Sequence, residues 1–505
     1  MCRPVCRFLR VGFVLASALA GGMFPATRSL AGSDDDPFSE PSAPAVNQDR
    51  LAPRIQRGRA LFLKRWKVAD VANPIGDGLG PTFNGRSCVE CHNMSRPGGA
   101  GSSDHNVDLL SVVPQSPLRH DRKKFLDRLT AIDAAFTAVS PSGQPNVTLH
   151  KFGSDPAYAD WRKGVVATVD ASQKSAISAK NHGKQAGTDD ASMRMLRPTD
   201  ASQASSGKET GVEVGSPRAD RLLLAISHRS TPALFGAGLI DGISDGVLHD
   251  MAKAEANRHN MIKGQVALAI GGRAGHFGWR GQTATLKDFV MGACANELGL
   301  EVPDHHQGID PLDPGYRAPG LDLTQVQCDD LAVFVASLPR PQQRQPKDCD
   351  ERELWQSGEQ VFETVGCANC HVRTLGSVEG LYSDLLLHDL GPSLADPVGA
   401  PGSHSNPNPS SGGYNGGGSR DVFIEAPAFT LRQWRTTPLW GVADSAPYLH
   451  DGRAVTLEEA IKDHGGEGSS SARLFATLPA AERAKLLAFL NSLAAPQEPT
   501  RVAQD

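Results

Sequence analysis

The sequence predicts a mainly helical protein built from two tandem, related domains with long loops and insertions. Two observations support this prediction. The same succession of local signals occurs twice along the 505 residues, which indicates a duplicated module. The 52 glycines and 35 prolines exceed average usage, which favours long loops between modest helices.

The repeat consists of matched segments that keep the same order in both halves. Four pairs match: Gly58–Phe62 with Gly358–Phe362, Thr231–Gly236 with Thr437–Gly441, Thr285–Leu286 with Thr456–Leu457, and Leu331–Leu338 with Leu486–Leu493. The first pair shares Gly-x-x-x-Phe on a predicted helix, and the last pair is an amphipathic helix of one design. Thr285 and Thr456 are each expected to cap the start of a helix.

Each half also carries one Cys-x-x-Cys-His motif, at Cys88–His92 and at Cys367–His371. Two thiols at this spacing can add to the two vinyl groups of a haem, and the adjacent histidine can bind its iron. Zinc or a disulfide is the alternative, but no second cysteine pair lies near either motif. The sequence thus predicts two cytochrome c-type domains, each around one covalent haem c. The expected attachment residues are Cys88, Cys91, Cys367 and Cys370, and the expected iron ligands are His92 and His371.

The predicted organisation follows from the repeat and from local composition. The segments are a signal peptide (1–31), an N-terminal linker (32–50), the first cytochrome c-like domain (51–338), a linker (339–349), the second domain (350–495) and a C-terminal tail (496–505). A low-complexity insertion at about 171–219 interrupts the first domain, and a glycine-rich loop at about 397–420 interrupts the second.

The amino terminus predicts export to the periplasm. Three arginines up to Arg10 precede the apolar run Val11–Phe24, and small residues follow at Ser29–Ala31. An uncleaved anchor is the alternative. No later apolar run is long enough for a transmembrane segment. The net charge of −5 without a basic stripe argues against nucleic acid as a partner.

Three cysteines remain after the motifs and the signal segment: Cys294, Cys328 and Cys349. Because Cys328 and Cys349 flank the interdomain linker, we expect these two to form a disulfide. Cys294 is then expected to be a small buried residue.

The second haem needs a further axial ligand from its own domain, and that ligand cannot be methionine. All eight methionines lie at or before Met291, so the candidates are His388, His404, His450 and His464. His464 is preferred because it lies eight residues after Thr456, on the helix that this threonine opens. His388 is the main rival.

The equivalent position in the first half is Ala293, which cannot bind iron. The first haem is therefore expected to have an open distal face, or one capped by a loop histidine: His105, His120 or His150. Glu297 lies one turn beyond Ala293, where its carboxylate could reach a ligand on the iron. The alternative is that Glu297 is an ordinary solvated residue.

Four longer motifs resemble those of the bacterial di-haem oxidoreductase family of peroxidase-like proteins. They are Asp77-Gly-Leu-Gly-Pro-x-Phe83-Asn84, Thr231–Ile240, Tyr382–Gly391 and Tyr448–Arg453. The family is similar to the di-haem cytochrome c peroxidases and to the di-haem enzyme that matures the methylamine dehydrogenase cofactor. The resemblance covers most of residues 50–495.

This resemblance implies a periplasmic enzyme that reduces hydrogen peroxide at the first haem. Electrons would come from a small redox donor protein, of cytochrome c or cupredoxin type, through the second haem. His92 would be the proximal ligand of the peroxide haem, Glu297 its distal acid, and Trp279 a bridge between the haems. His464 falls where the peroxidases have a methionine ligand, which implies a second haem with two histidine ligands.

The chain departs from the peroxidase pattern at three points. Phe289 replaces the distal glutamine, the match to Glu297 needs a two-residue gap, and Gly236 replaces an asparagine of the calcium site, so calcium is doubtful. Two other functions stay open. One is a di-haem oxidase acting on a protein or organic substrate, and the other is a non-catalytic di-haem electron-transfer protein.

Overall fold

Helices make up most of the regular structure of the chain, as the sequence predicts. The computed structural model describes residues 48–69, 75–114, 146–169, 210–214, 222–259, 261–396 and 432–496. From Ala52 onward these residues form one compact unit; of the other unit, Met1–Leu51, only the last four residues are described.

The elements of this part of the chain are as follows. The helices are α1 (Gln48–Leu63), α2 (Cys88–Cys91), α3 (158–169), α4 (Ala237–Asp241), α5 (Asp245–Arg258), α6 (Leu286–Glu297), α7 (Gln325–Ala336), α8 (Cys349–Thr364), α9 (Leu457–Asp463), α10 (Ser469–Thr477) and α11 (Ala480–Ser492). The strands are β1 (Thr82–Phe83), β2 (Val107–Pro114), β3 (Asn146–Thr148), β4 (Phe152–Gly153), β5 (Thr210–Val214), β6 (Leu222–Arg229), β7 (Gln342–Gln343), β8 (Thr374–Leu375), β9 (Val378–Glu379), β10 (Leu387–Asp389), β11 (Gln433–Arg435) and β12 (Leu493–Ala494).

The outer helices of the repeat cross in the same way in both halves. In the first half α1 crosses α7 at Gly58, where an added Cβ would lie 2.0 Å from the carbonyl oxygen of Asp330. In the second half α8 crosses α11 at Gly358, where an added Cβ would lie 2.1 Å from the carbonyl oxygen of Lys485. At each crossing the two helix backbones lie so close together that only glycine fits.

The phenylalanines of the repeat pack at these crossings. Phe62 lies 5.2 Å from Phe334 between ring centroids, and Phe362 lies 5.5 Å from Phe489. The same two rings face the motif histidines, at 6.5 Å for His92 and 6.4 Å for His371. The Gly-x-x-x-Phe pattern thus serves two contacts at once, one with the partner helix and one with the imidazole.

The predicted threonine caps are confirmed. The hydroxyl oxygen of Thr285 accepts a hydrogen bond from the backbone N–H of Asp288 at the start of α6. Thr456 does the same for Glu459 at the start of α9, with a full capping box. These bonds satisfy amide groups that the first turn of a helix leaves unpaired.

A four-stranded antiparallel sheet in the first half was not predicted. Its strand order is β3-β2-β6-β5, and β2 pairs with β6 over eight residues, from Val107 opposite Arg229 to Pro114 opposite Leu222. Strand β5 lies within the insertion predicted at about 171–219. Its pairing with β6 makes this part of the insertion regular structure.

Short strands also close the second half. Strand β7, in the linker, pairs antiparallel with β12 at the end of α11, with Gln343 opposite Leu493. The backbone N–H of Arg344 donates to the carbonyl oxygen of Ser492 at 2.8 Å. The beginning and the end of the second half therefore lie side by side.

The apolar core consists of two main clusters. The larger is built mostly from the first half, but Leu381 and Trp440 of the second half pack within it. The smaller lies within the second half and includes Phe362, Phe475 and Phe489. Trp440 contacts the first half at Gly236, where an added Cβ would lie 2.6 Å from the indole ring.

The expected disulfide between Cys328 and Cys349 is not formed. Cys328 is a free thiol on α7, buried in the larger cluster at 1% exposure, whereas Cys349 is exposed at the start of α8. A disulfide needs two Cα atoms within about 7 Å, and proximity to a shared linker does not provide that. Cys294 is a buried free thiol, as expected.

Several predictions concern residues outside the described part of the chain. They are the signal peptide (1–31), most of the N-terminal linker, most of the insertion, the loop at about 397–420, nearly all of the C-terminal tail, His120 and His404. Among the described residues, no helix is both long enough and apolar enough to cross a membrane.

Candidate functional site

The first Cys-x-x-Cys-His motif forms a single helical turn, α2, and ends at His92. The side chain of Ser87 caps this turn by accepting from the N–H of Glu90. His92 donates from Nδ1 to the carbonyl oxygen of Pro232 at 3.1 Å, so its Nε2 carries the lone pair. Burial lowers the pKa of His92 to about 4, which keeps the imidazole neutral, as a metal ligand must be.

The second motif holds its histidine in the same way. His371 donates from Nδ1 to the carbonyl oxygen of Tyr382 at 3.0 Å, which again leaves the lone pair on Nε2. Burial, with a smaller contribution from nearby His464, lowers the pKa of His371 to about 4. The acceptor differs between the halves, because Pro232 belongs to the Thr-Pro segment of the repeat whereas Tyr382 does not.

The cysteines of both motifs suit haem attachment better than zinc binding. Burial raises the pKa of Cys88, Cys91 and Cys367 to about 12. Each motif supplies three donor side chains, whereas a structural zinc site takes four ligands. Among the described residues, neither motif contributes both its cysteines and its histidine to a cluster of potential metal ligands. The donor set fits a haem held by two thioether bonds and one imidazole.

His464 lies at the end of α9, close to His371. It donates from Nδ1 to the carbonyl oxygen of Ala460 at 2.6 Å, so its lone pair is also on Nε2. Burial lowers the pKa of His464, and the electrostatic effect of this nearby imidazole is the second cause of the lowered pKa of His371. Two neutral imidazoles with available Nε2 atoms therefore lie near each other in the second half.

The other histidines of the second half are engaged elsewhere. His388 uses both ring nitrogens, with Nε2 at 2.9 Å from Asp384 and Nδ1 at 2.7 Å from Glu467. The ring of His450 stacks on Trp434 at 3.7 Å, and burial lowers its pKa well below the usual value. These contacts argue against His388, the main rival of His464.

Glu297 is the last residue of α6, and the segment before the first motif holds it in place. The side-chain amide of Asn84 donates to Oε2 of Glu297 at 2.8 Å, and the backbone N–H of Asn84 donates to the Glu297 carbonyl oxygen at 2.7 Å. Burial raises the pKa of Glu297 to about 7, against the opposing effects of Asn84 and Lys151. Glu297 is thus not an ordinary solvated carboxylate, and it can both accept and donate a proton near neutral pH.

Sequence reasoning did not single out Asn84 or Lys151. Asn84 ends the Asp77–Asn84 motif, in which nothing local indicates a contact with Glu297. Lys151 follows strand β3 and donates from its backbone N–H to Oδ1 of Asn84 at 3.0 Å. The side chain of Lys151 also lines a cleft of about 680 Å³ together with Asp104 and His228.

The loop histidines of the first half have other contacts. Nε2 of His150 lies 2.7 Å from the carbonyl oxygen of Asn296, and Nδ1 of His105 lies 3.1 Å from the hydroxyl oxygen of Ser102. Phe289, at the position of the peroxidase glutamine, stacks on Phe277 with ring centroids 5.7 Å apart.

Trp279 connects the two halves. Its indole N–H donates to the carbonyl oxygen of Ser230 at 2.9 Å, and its own carbonyl oxygen accepts from the N–H of Arg435 at 2.9 Å. Ser230 lies two residues before Pro232, the acceptor for His92, and Arg435 belongs to β11 of the second half. Trp279 therefore forms hydrogen bonds with residues of both halves.

Comparison with known proteins supports a di-haem protein. Residues 418–493 match the model of a family described as "Di-haem oxidoreductase, putative peroxidase", which confirms the resemblance over this part of the chain, where the Tyr448–Arg453 motif lies. This family supports haem as the cofactor and oxidoreduction as the broad activity. No curated protein matches the chain.

Solved structures also match parts of the chain. One is a hydrazine synthase from Kuenenia stuttgartiensis, in a structure pressurised with xenon, with 22% identity, 36% of this chain and 61% of that chain covered, and a TM-score of 0.23. Another is a MauG-like protein associated with microbial copper homeostasis, with 18% identity, 50% and 90% covered, and a TM-score of 0.25. The chain thus spans about three fifths of the hydrazine synthase chain that it matches.

Proposed function

We propose that this chain is an exported, periplasmic di-haem c-type oxidoreductase that reduces hydrogen peroxide. Cys88 and Cys91 would attach the first haem, with His92 as its proximal ligand. Cys367 and Cys370 would attach the second, with His371 and His464 as its two axial ligands. The haems supply the redox chemistry, in which peroxide is reduced at the first and electrons enter through the second.

The difference between the two halves carries this proposal. His464 offers a second imidazole in the second half, whereas the equivalent Ala293 of the first half offers no ligand atom. Glu297, one turn beyond Ala293, is a half-buried acid whose pKa of about 7 allows it to hold or release a proton at neutral pH. The first haem iron would then have an open coordination position beside a group that carries protons. A catalytic site needs this combination, and a simple electron carrier lacks it.

Glu297 moves a proton in this scheme. Its carboxylate accepts the proton of the peroxide oxygen nearer the first haem and returns it to the farther oxygen, which then leaves as water. Asn84 holds Oε2 of Glu297 in one position and stabilises its ionised form.

Trp279 is proposed as the bridge between the halves because it is hydrogen-bonded to Ser230 on one side and Arg435 on the other. The proposed electron donor is a small redox protein of cytochrome c or cupredoxin type. The proposed organisation is two tandem cytochrome c-like domains, supported by the identical helix crossings at Gly58 and Gly358.

The decisive experiment compares Glu297→Gln with the natural protein. We expect peroxidase turnover to fall by at least about a hundredfold, the usual contribution of general acid–base catalysis, while both haem spectra stay unchanged. Glu301→Gln, which alters a carboxylate that pairs with exposed His306, is the matched control and should keep full activity. Equal peroxidase rates in Glu297→Gln and the natural protein would remove Glu297 from the mechanism.

The spin state of the haems separates this function from electron transfer alone. A five-coordinate, high-spin signal from one haem in the resting or half-reduced protein supports catalysis. Two low-spin signals with two histidine ligands in every redox state would instead indicate a closed electron carrier. A di-haem oxidase would give the high-spin signal but negligible peroxide turnover with any reduced donor.

A further inference from the structure

A second group of ionisable side chains is buried between the two halves and takes no part in the proposed peroxide chemistry. Glu255 comes from α5 of the first half, whereas Asp384 and His388 follow the second haem motif. Their exposed fractions are 3%, 0% and 2%, respectively. Burying two carboxyl groups and an imidazole together is costly unless each finds a partner.

One atom of this group has no hydrogen-bond partner. Oε2 of Glu255 accepts a hydrogen bond from the N–H of Gly264 at 2.7 Å, but Oε1 has no hydrogen-bond partner. Oε1 points toward His388, with 4.0 Å to Nε2, while Oδ2 of Asp384 lies 2.9 Å from the same nitrogen. An unsatisfied carboxylate oxygen, a second carboxylate oxygen and an imidazole nitrogen thus converge on one position.

Glu467 orients the imidazole from the opposite side. Its Oε2 lies 2.7 Å from Nδ1 of His388 and accepts that N–H, which turns Nε2 toward Asp384 and Glu255. Carboxylates that accept from the outer nitrogen of a histidine in this way are typical of metal sites, where they fix the ring and make it a better ligand.

The charge of the group also favours a cation. Three carboxyl groups, from Glu255, Asp384 and Glu467, face the imidazole of His388 and the guanidinium of Arg435, so the ionised group has a surplus of negative charge. Burial, helped by the nearby carboxylates, raises the pKa of Glu255 to about 7, against the opposing effect of His388.

We propose that Glu255, Asp384 and Nε2 of His388 bind a divalent first-row transition cation, Zn²⁺ or Mn²⁺, between the two halves. Bonds of about 2.0–2.2 Å require ligand atoms within about 4.4 Å of one another, and both distances from Nε2 meet this limit. A mixed imidazole and carboxylate set suits these ions. The cation takes the place of the Nε2 proton, which is released on binding.

The same group lies against the second haem motif. Sγ of Cys370 is 3.7 Å from Nδ1 of His388 and, as a haem thioether, would not be a ligand. The N–H of Asp384 donates to the carbonyl oxygen of Cys370 at 2.9 Å. A cation held here would link α5 of the first half to the haem-attachment segment of the second.

Metal analysis of the haem-loaded protein tests this site. The two haem irons of each chain serve as the internal standard for the number of bound ions. After chelator treatment, the protein is dialysed against ZnCl₂ or MnCl₂ and washed. We expect one added ion per two irons in the natural protein, and at least about tenfold weaker binding in Glu255→Gln. Glu301→Gln, which alters a different histidine–carboxylate pair, with exposed His306, should bind as the natural protein does.

Equal metal content in Glu255→Gln and the natural protein, or no added ion in either, would overturn the proposal. If Glu255→Gln does not fold, crystals of the natural protein soaked in ZnCl₂ decide the question. An anomalous peak within bonding distance of Glu255, Asp384 and His388 is the expected result, and its absence would also overturn the proposal. Neither measurement depends on peroxidase activity.

Discussion

The side-chain amide of Asn84 donates a hydrogen bond to Oε2 of Glu297 at 2.8 Å, across 213 positions of sequence. The last turn of α6 therefore depends on the segment that leads into the first haem motif, because the backbone N–H of Asn84 also binds the Glu297 carbonyl oxygen. This relationship connects the proposed proton carrier to the proposed proximal ligand through a short stretch of chain.

Removing the Asn84 amide should change the pH dependence of activity. The hydrogen bond favours the ionised carboxylate, so Asn84→Ala should raise the pKa of Glu297 from about 7 by roughly one unit. Because Glu297 must be ionised to accept a proton from peroxide, the rising limb of kcat/KM should move to higher pH by the same amount. Activity at pH 7 should fall roughly fivefold and recover above pH 9.

Asn296→Ala is the control for this change, since it removes a buried amide that donates to the carbonyl oxygen of Gly292 and not to Glu297. Its pH profile should match that of the natural protein. A rising limb that stays in place in Asn84→Ala would contradict the role assigned to Asn84.

Replacing Trp279 should slow electron transfer between the halves. Trp279→Leu removes both the indole and its hydrogen bond to Ser230, so turnover with a reduced donor should fall at least about tenfold, or about 1.4 kcal/mol in the barrier. Stopped-flow oxidation of the half-reduced protein would measure this directly. Trp355→Leu alters a tryptophan on α8 of the second half, and it should leave the rate between the halves unchanged.

Replacing His464 should expose the second iron. His464→Ala is expected to convert one low-spin haem to high spin in the oxidised protein, and added imidazole should restore the low-spin signal. His388→Ala removes the rival histidine, which is held by Asp384 and Glu467, and should leave the spin state unchanged. If His388→Ala produced the high-spin haem and His464→Ala left the spin state unchanged, His388 would be the ligand.

Adding one methyl group at a helix crossing should destabilise the protein. In Gly358→Ala the new Cβ would lie 2.1 Å from the carbonyl oxygen of Lys485, so α8 and α11 must separate, at a cost of about 1–3 kcal/mol. Thermal unfolding of the haem-loaded protein, followed by circular dichroism, would show a lower midpoint. Gly164→Ala in α3 meets nothing within 4 Å and should be neutral or stabilising, so an equal loss in both variants would count against a steric cause.

The parts of the fold that were predicted correctly depend on local sequence. The caps at Thr285 and Thr456 each involve a residue three positions away. The sheet was missed because β2 pairs with β6 more than a hundred residues later, and nothing local specifies that partner. The disulfide between Cys328 and Cys349 was wrong for the related reason that closeness to one linker does not determine which residues meet in space.

The sequence predicted the motif residues of the candidate site, but not the residues that hold them in place. Cysteine spacing identifies α2 and the second motif from the sequence alone. The hydrogen bonds from Asn84 to Glu297 and from Lys151 to Asn84 join segments that are distant in sequence, so only the folded chain reveals them. Whether Nε2 of a histidine is available is likewise a property of its neighbours, as His388 and His464 illustrate.

The pairing of β7 with β12 has a consequence for how a chain of this kind can arise and be re-engineered. A segment whose two ends are adjacent can be copied, inserted into another protein or circularly permuted without moving either end. The second half has this geometry, with Gln343 opposite Leu493. Joining its ends through a short turn and opening the chain elsewhere would permute the second half while β7 and β12 keep their pairing.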